Sequence, residues 1–282
     1  MATFEKMRIS LAGADKTPMF GDQERPKRTR QKFFTDAFSE RRDFLPTRGQ
    51  ARLTFWPIPA PLGYVAGFFG RETVQKGHAG PEAAFSEITI ENWEIALFVI
   101  DLSPDSQICW MQLNNTVGQP KSIIESFFKH LSRKSSFGEW QAYVKYMDSE
   151  GRYWDSVRLY KSSLTKMEFT FIPPNALNVR DAVGNFTRLA NEQVQSDTQT
   201  HIYKSPPGQM QPESELAGAS AEIAMEGGGE AKAFAGRKKV YDSNDDRTRE
   251  EVPDDDLPTP TQPTFISRVI ERLWGTQSDG AA

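Results

Sequence analysis

The chain is short of cysteine, histidine and long apolar runs, and each shortage removes a class of protein. Cys109 is the single cysteine among 282 residues, so no internal disulfide can form and no thiolate cluster exists for zinc or an iron–sulfur group. A reducing, cytoplasmic setting is the natural expectation. No stretch reaches the roughly 18 apolar residues a membrane-spanning helix needs, and the N-terminus lacks the order of a signal peptide. His78, His130 and His201 stand tens of residues apart and belong to no HExxH or Cys–His ligand set, so no metal ligands are expected.

Nucleophile and phosphate motifs are missing as well. There is no GxSxG elbow, and Cys109 sits in an apolar run where a thiol is inert packing. The triplet Gly227, Gly228, Gly229 lacks the Lys and Ser or Thr of a phosphate loop and reads as a turn, with a ligand cradle as the alternative. No cofactor is implied.

Aromatic residues, by contrast, are plentiful. Nineteen Phe, seven Tyr and six Trp give a chain of 38% hydrophobic residues a large apolar area per core position. The net charge of −4 conceals an asymmetry. Residues 1–50 carry eleven Lys or Arg against seven Asp or Glu, whereas residues 206–282 carry eight against fifteen. The N-terminal excess is concentrated in Arg25, Lys27, Arg28, Arg30 and Lys32, with Arg41 and Arg42 following, and Phe33, Phe34 and Phe38 interleave with these charges. Cations beside aromatic platforms suit single-stranded nucleic acid. The same pattern suits a short helix packing its Phe face inward.

Period-two and apolar runs predict strands at 52–58, 64–69, 94–100, 108–113, 140–146, 167–171 and 200–204. Ile124, Phe127, Phe128 and Leu131 at helical spacing after Pro120 predict a helix, as do Val179, Val183, Phe186 and Ala190. Residues 215–226 read as helix and 231–241 as a hairpin turning at Gly236. Glu87, Glu91 and Glu94 have the spacing of a solvated helix end. Strand pairs mixed with helices, without a repeat, predict an α+β fold with a mixed or mostly antiparallel sheet. The expected organisation is a basic segment over 1–50, a globular body over 51–243, a disordered Pro- and Asp-rich linker over 244–263, and an amphipathic helix over 264–275.

That last helix carries the leading functional expectation. Phe265, Ile266, Val269, Ile270, Leu273 and Trp274 form one apolar stripe, with Thr264 as cap. So short a helix needs a surface, which implies docking on a protein partner, on a sister subunit, or back on its own body. The chain therefore reads as a non-catalytic intracellular binding or assembly protein. The alternative is a nucleic-acid-directed protein, either a binder through Lys27, Arg28, Arg30 and Lys32, or a magnesium-dependent nuclease. For the nuclease, Glu230 and Lys232 spell the ExK fragment of PD-(D/E)xK enzymes, with Glu213, Glu215 or Asp101 as candidate upstream acids.

Overall fold

The computed structural model describes residues 1–13, 28–47, 49, 51–103, 106–148, 152–172, 198–245, 247–262 and 265–275. Eight strands build the larger sheet: β1 (Ala2–Gly13), β2 (Arg42–Phe44), β3 (Leu53–Ile58), β4 (Tyr64–His78), β5 (Glu87–Asp101), β6 (Ile108–Gln112), β7 (Trp140–Tyr146) and β12 (Arg249–Val252). Their order is β12-β1-β6-β5-β4-β3-β2, with β7 also paired to β1. The smaller sheet holds β8 (Leu164–Phe171), β9 (Gln199–Lys204), β10 (Gly229–Ala235) and β11 (Lys238–Asp242), in the order β11-β10-β8-β9. Every pairing in both is antiparallel, and with the packed helices the architecture is α+β.

Alternation along each strand decides what covers its faces. In β1, Met7, Ile9 and Leu11 join Phe69 and Phe98 beneath two helices, α1 (Arg30–Ala37) and α2 (Pro120–Ser132). Phe33, Phe34 and Phe38 are all fully buried there, and the Phe38 ring stacks on Phe127 with centroids 5.0 Å apart. The inward-facing reading of this segment is therefore the one realised. On the smaller sheet, α3 (Arg152–Tyr160) and α4 (Glu215–Ile223) cover Phe169 and Phe171 with Tyr153, Val157, Ala217 and Ala221.

The opposite face of the larger sheet is closed by α5 (Ile266–Trp274). Ile266, Val269, Ile270 and Leu273 are buried among Phe68, Leu97, Val99, Trp110 and Val252. Arg272 fastens the helix by donating to the Glu251 carbonyl at 2.8 Å. Among the described residues no helix is long and apolar enough to cross a membrane.

Three expectations need correction. The basic segment over 1–50 is not a separate unit, because Ala2–Gly13 is an interior strand with neighbours on both sides; Glu5, Lys6 and Arg8 break its apolar run and disguise it. The linker over 244–263 contains β12, whose Val252 is fully buried, so part of it is folded. Glu87, Glu91 and Glu94 lie on a strand, where Ile88 and Ile90 alternate with Glu87, Thr89 and Glu91 at period two. Helix α3 carries little sequence signal, since Tyr153 and Val157 are its only buried residues. The expected helix around Val179 to Ala190, like Lys27 and Thr264, lies outside the described residues.

Candidate functional site

Glu230 and Lys232 stand two residues apart on β10 and so share a face, and Glu230 lines a cavity of about 370 Å³ with Lys121, Glu125, Tyr146 and Arg247. Lys145 on β7 donates to the Glu230 carboxylate, Lys232 lies 3.6 Å from it and Lys121 3.9 Å. Burial opposes the charge of Glu230. The Lys145 hydrogen bond and the charges of Lys145, Lys121 and Lys232 outweigh that and hold its carboxyl down to about 2. Burial, with Lys145 nearby, pushes Lys121 below the ordinary lysine range, and burial pushes Glu125 above the carboxylate range.

The adjoining wall is also internally paired. Glu5 is wholly buried and receives Arg247 at 3.2 Å and Arg249 at 2.9 Å. The Arg247 guanidinium lies 4.1 Å above the Tyr146 ring. Burial first, and then the charge of Glu5, pushes the Tyr146 hydroxyl up to about 12. The nuclease acids do not assemble here. Glu213 pairs with Lys161 at 2.6 Å on the surface, Asp101 accepts from Ser103 in a turn, and Glu215 opens α4. No group of three metal-capable side chains occurs among the described residues. The seam thus joins two sheets through matched charges.

Gly227 has a structural duty at the same seam. Its φ of +79° and the 2.7 Å that a Cβ would leave to the Arg8 side chain both demand glycine, while Arg8 donates to the Glu226 carbonyl at 3.0 Å. Gly227 and Gly228 end the helical segment that follows α4, and Gly229 opens β10.

Arg28, Arg30 and Lys32, the described nucleic-acid candidates, are engaged as well. Arg28 donates to Glu139, lies 3.3 Å from Asp36, and covers the Phe137 ring at 4.8 Å. Arg30 lies over Trp140 at 5.6 Å, and burial lowers its pKa. Lys32 pairs with Asp36 at 2.8 Å. Phe33, Phe34 and Phe38 are themselves in the core and offer no exposed platform beside these cations.

Two features missed in the sequence are more open. One is a cavity of about 520 Å³ between the loop after β2 and the C-terminal end of α2. Phe44, Leu45 and Pro46 form its apolar side, and Arg52, Lys129 and Arg133 its basic side. The Ser126 hydroxyl accepts the Thr47 N–H at 2.9 Å and fixes the loop over it. Thr54, Arg52 and Arg41 hold the Asp43 carboxyl down to about 2 against burial, the Thr54 hydrogen bond contributing most. Burial, followed by the charges of Lys134, Arg133 and Arg42, keeps His130 below its ordinary pKa. Lys129 and Arg133 have no ion pair among the described residues.

The other feature is an arm. β4 and β5 pair over fifteen residues, from Tyr64 opposite Asp101 to His78 opposite Glu87. β3 follows β4 only as far as Arg71, and β6 follows β5 only over Phe98 to Ile100. From Thr73 and Asn92 outward both edges of the ribbon are therefore unpaired among the described residues. It exposes Val74 at 62%, Ile90 at 48% and Phe85 at 63%, together with Ile88 and Trp93. Its tip passes through Ala84 and Phe85 at φ +50° and +56°, a conformation that projects the Phe85 ring and that L-residues seldom adopt. Two cations, Arg71 and Lys76, against five glutamates give residues 71–94 a net charge of −3.

The C-terminal stripe is placed elsewhere. Beyond its four buried aliphatic residues, Trp274 meets Tyr64 with centroids 5.2 Å apart, and Phe265 lies beneath Arg268 at 5.0 Å. No protein-family model, curated protein or solved structure matches this chain, so its own geometry carries the functional argument.

Proposed function

We propose that this chain is a non-catalytic binding protein that works within an assembly, and that the β4–β5 arm is its docking element. The carrying observation is a two-stranded ribbon that leaves the sheet with both edges open and with Val74, Phe85, Ile88, Ile90 and Trp93 exposed. A lone ribbon is marginal in water, and unpaired edges invite pairing with another chain. Retaining such an element is consistent with a partner that covers it. The net charge of −3 favours a partner surface that is basic around an apolar centre.

This reading moves the docking role from 265–274 to the arm, because the stripe on α5 already lies on the chain's own sheet. The paired charges around Glu230 favour a structural seam over a catalytic centre. A cytoplasmic setting fits the lone, buried Cys109.

The test is site-specific photo-crosslinking in cells that express the intact chain, with a photoreactive phenylalanine analogue at Phe85 or Ile90. Exposed Leu62, outside the arm, serves as the control position. Protein adducts at both arm positions and none at Leu62 are expected; arm positions no more reactive than Leu62 would refute the reading.

A further inference from the structure

We infer that the arm's partner is a second copy of this chain, the two arms lying antiparallel about a two-fold axis with each tip in the other copy's basic cavity. The inference rests on the arm being the docking element. Geometry comes first. The cavity lies at the base of the chain's own arm, because Glu72, the first residue beyond the sheet, donates its N–H to the carbonyl of Arg52 at 3.1 Å, and Arg52 lines the cavity. Two ribbons running antiparallel bring each tip to the other's base. A cavity at the base is thus where a two-fold mate's tip arrives, and the contact closes on itself without propagating.

Charge points to the same pairing. On the outer arm, Glu82 and Glu91 have no ion pair among the described residues, while Glu87 is held by Lys76 at 2.6 Å. In the cavity, Lys129 and Arg133 are the bases without one, and Arg52 is shared with Asp43. Acids without ion pairs on one element and bases without them on the other give the two surfaces complementary charge. Apolar chemistry matches as well. Phe85 projects from the tip with Ile88 and Ile90 behind it, and Phe44, Leu45 and Pro46 line a space of about 520 Å³. Gly77 has no side chain where Ile88 and Ile90 lie across the ribbon, so that face of the arm is low and apolar. The open strand edges can then pair between copies and satisfy their backbone groups.

Sedimentation velocity on the purified full chain tests this, from about 1 to about 100 μM, a range that brackets micromolar association. The expected result is a species of twice the chain mass. Glu82→Lys with Glu91→Lys, and separately Lys129→Glu with Arg133→Glu, are each expected to weaken the dimer at least about tenfold. Combining all four substitutions restores a charge match and is expected to recover dimer. Circular dichroism of each variant separates lost association from lost folding. A wild-type chain that stays monomeric throughout overturns the inference, as do folded variants that dimerise unchanged or a combined variant that stays dissociated. A monomer in vitro whose Ile90 position crosslinks a different protein in cells overturns only the second copy and leaves the arm reading standing. Absence of both results overturns both.

Discussion

Glu230 illustrates how one residue's chemistry is set by neighbours that are remote in the chain. Its spacing from Lys232 suggested a catalytic fragment, yet the carboxylate is bound by lysines from α2, β7 and β10. Because its pKa is depressed in the folded chain, its ionised form stabilises folding above the ordinary glutamate range. That contribution is lost as pH falls from about 4.5 through about 2. Urea unfolding at pH 7 and pH 3 should therefore show the native chain losing about 2 kcal/mol more than Glu230→Gln over this interval. Equal losses would mean that the lysines do not hold it. The presence of Glu230 and Lys232 on one face could be derived from period two. The lysines that meet them could not, since nothing in the local sequence marks Lys121 or Lys145 as their partners.

Among the elements, α5 takes the own-body option its sequence allowed, and the arm is the element left uncovered. The 265–274 stripe has the strongest amphipathic pattern in the chain, and such a stripe states only that some surface must cover it. The surface is the sheet face around Phe68, Leu97 and Trp110. Leu273→Asp should cost about 3 kcal/mol or more in chemical denaturation, since it buries a carboxylate among apolar side chains, and should raise binding of a hydrophobic dye. An unchanged midpoint would show that the stripe faces outward. Of the arm only the inner ends are legible, as strands 64–69 and 94–100; its outer part reads as a helix end, although Ile88 and Ile90 alternate with Glu87, Thr89 and Glu91. The glutamate spacing matched a helix equally well, and only the register with β4 separates the two.

For the whole molecule, β1 is the organising element. Its first half pairs with β12 and β6, its second half with β7, and Arg8 and Lys6 carry it to the seam with the smaller sheet. Ala2 opposite Val252 brings together residues from distant parts of the chain. Removing residues 1–13 should leave no cooperative unfolding transition and no near-ultraviolet dichroism from the buried aromatics, because it opens both large cores at once. A truncated chain that still melts cooperatively would show that β1 is dispensable. The mixed charge at Glu5, Lys6 and Arg8 had placed this strand in a basic outlying segment; Glu5 is matched by Arg247 and Arg249, which lie far along the chain.

The sequence by itself determined the α+β class, the hairpin of β5 with β6, helix α2, the turn at Gly236 and the amphipathic character of 265–274. Those features arise from periodicity and turn chemistry acting over a few residues, where the chain carries its own instructions. Tertiary structure alone decided the interior place of β1, the folding of 249–252 onto it, the cover over the α5 stripe, the neutralisation of Glu230 and the projection of the arm beyond the sheet. Each depends on contacts between residues far apart in the chain, and an apolar or charged side chain specifies the kind of neighbour it needs without specifying which one it meets.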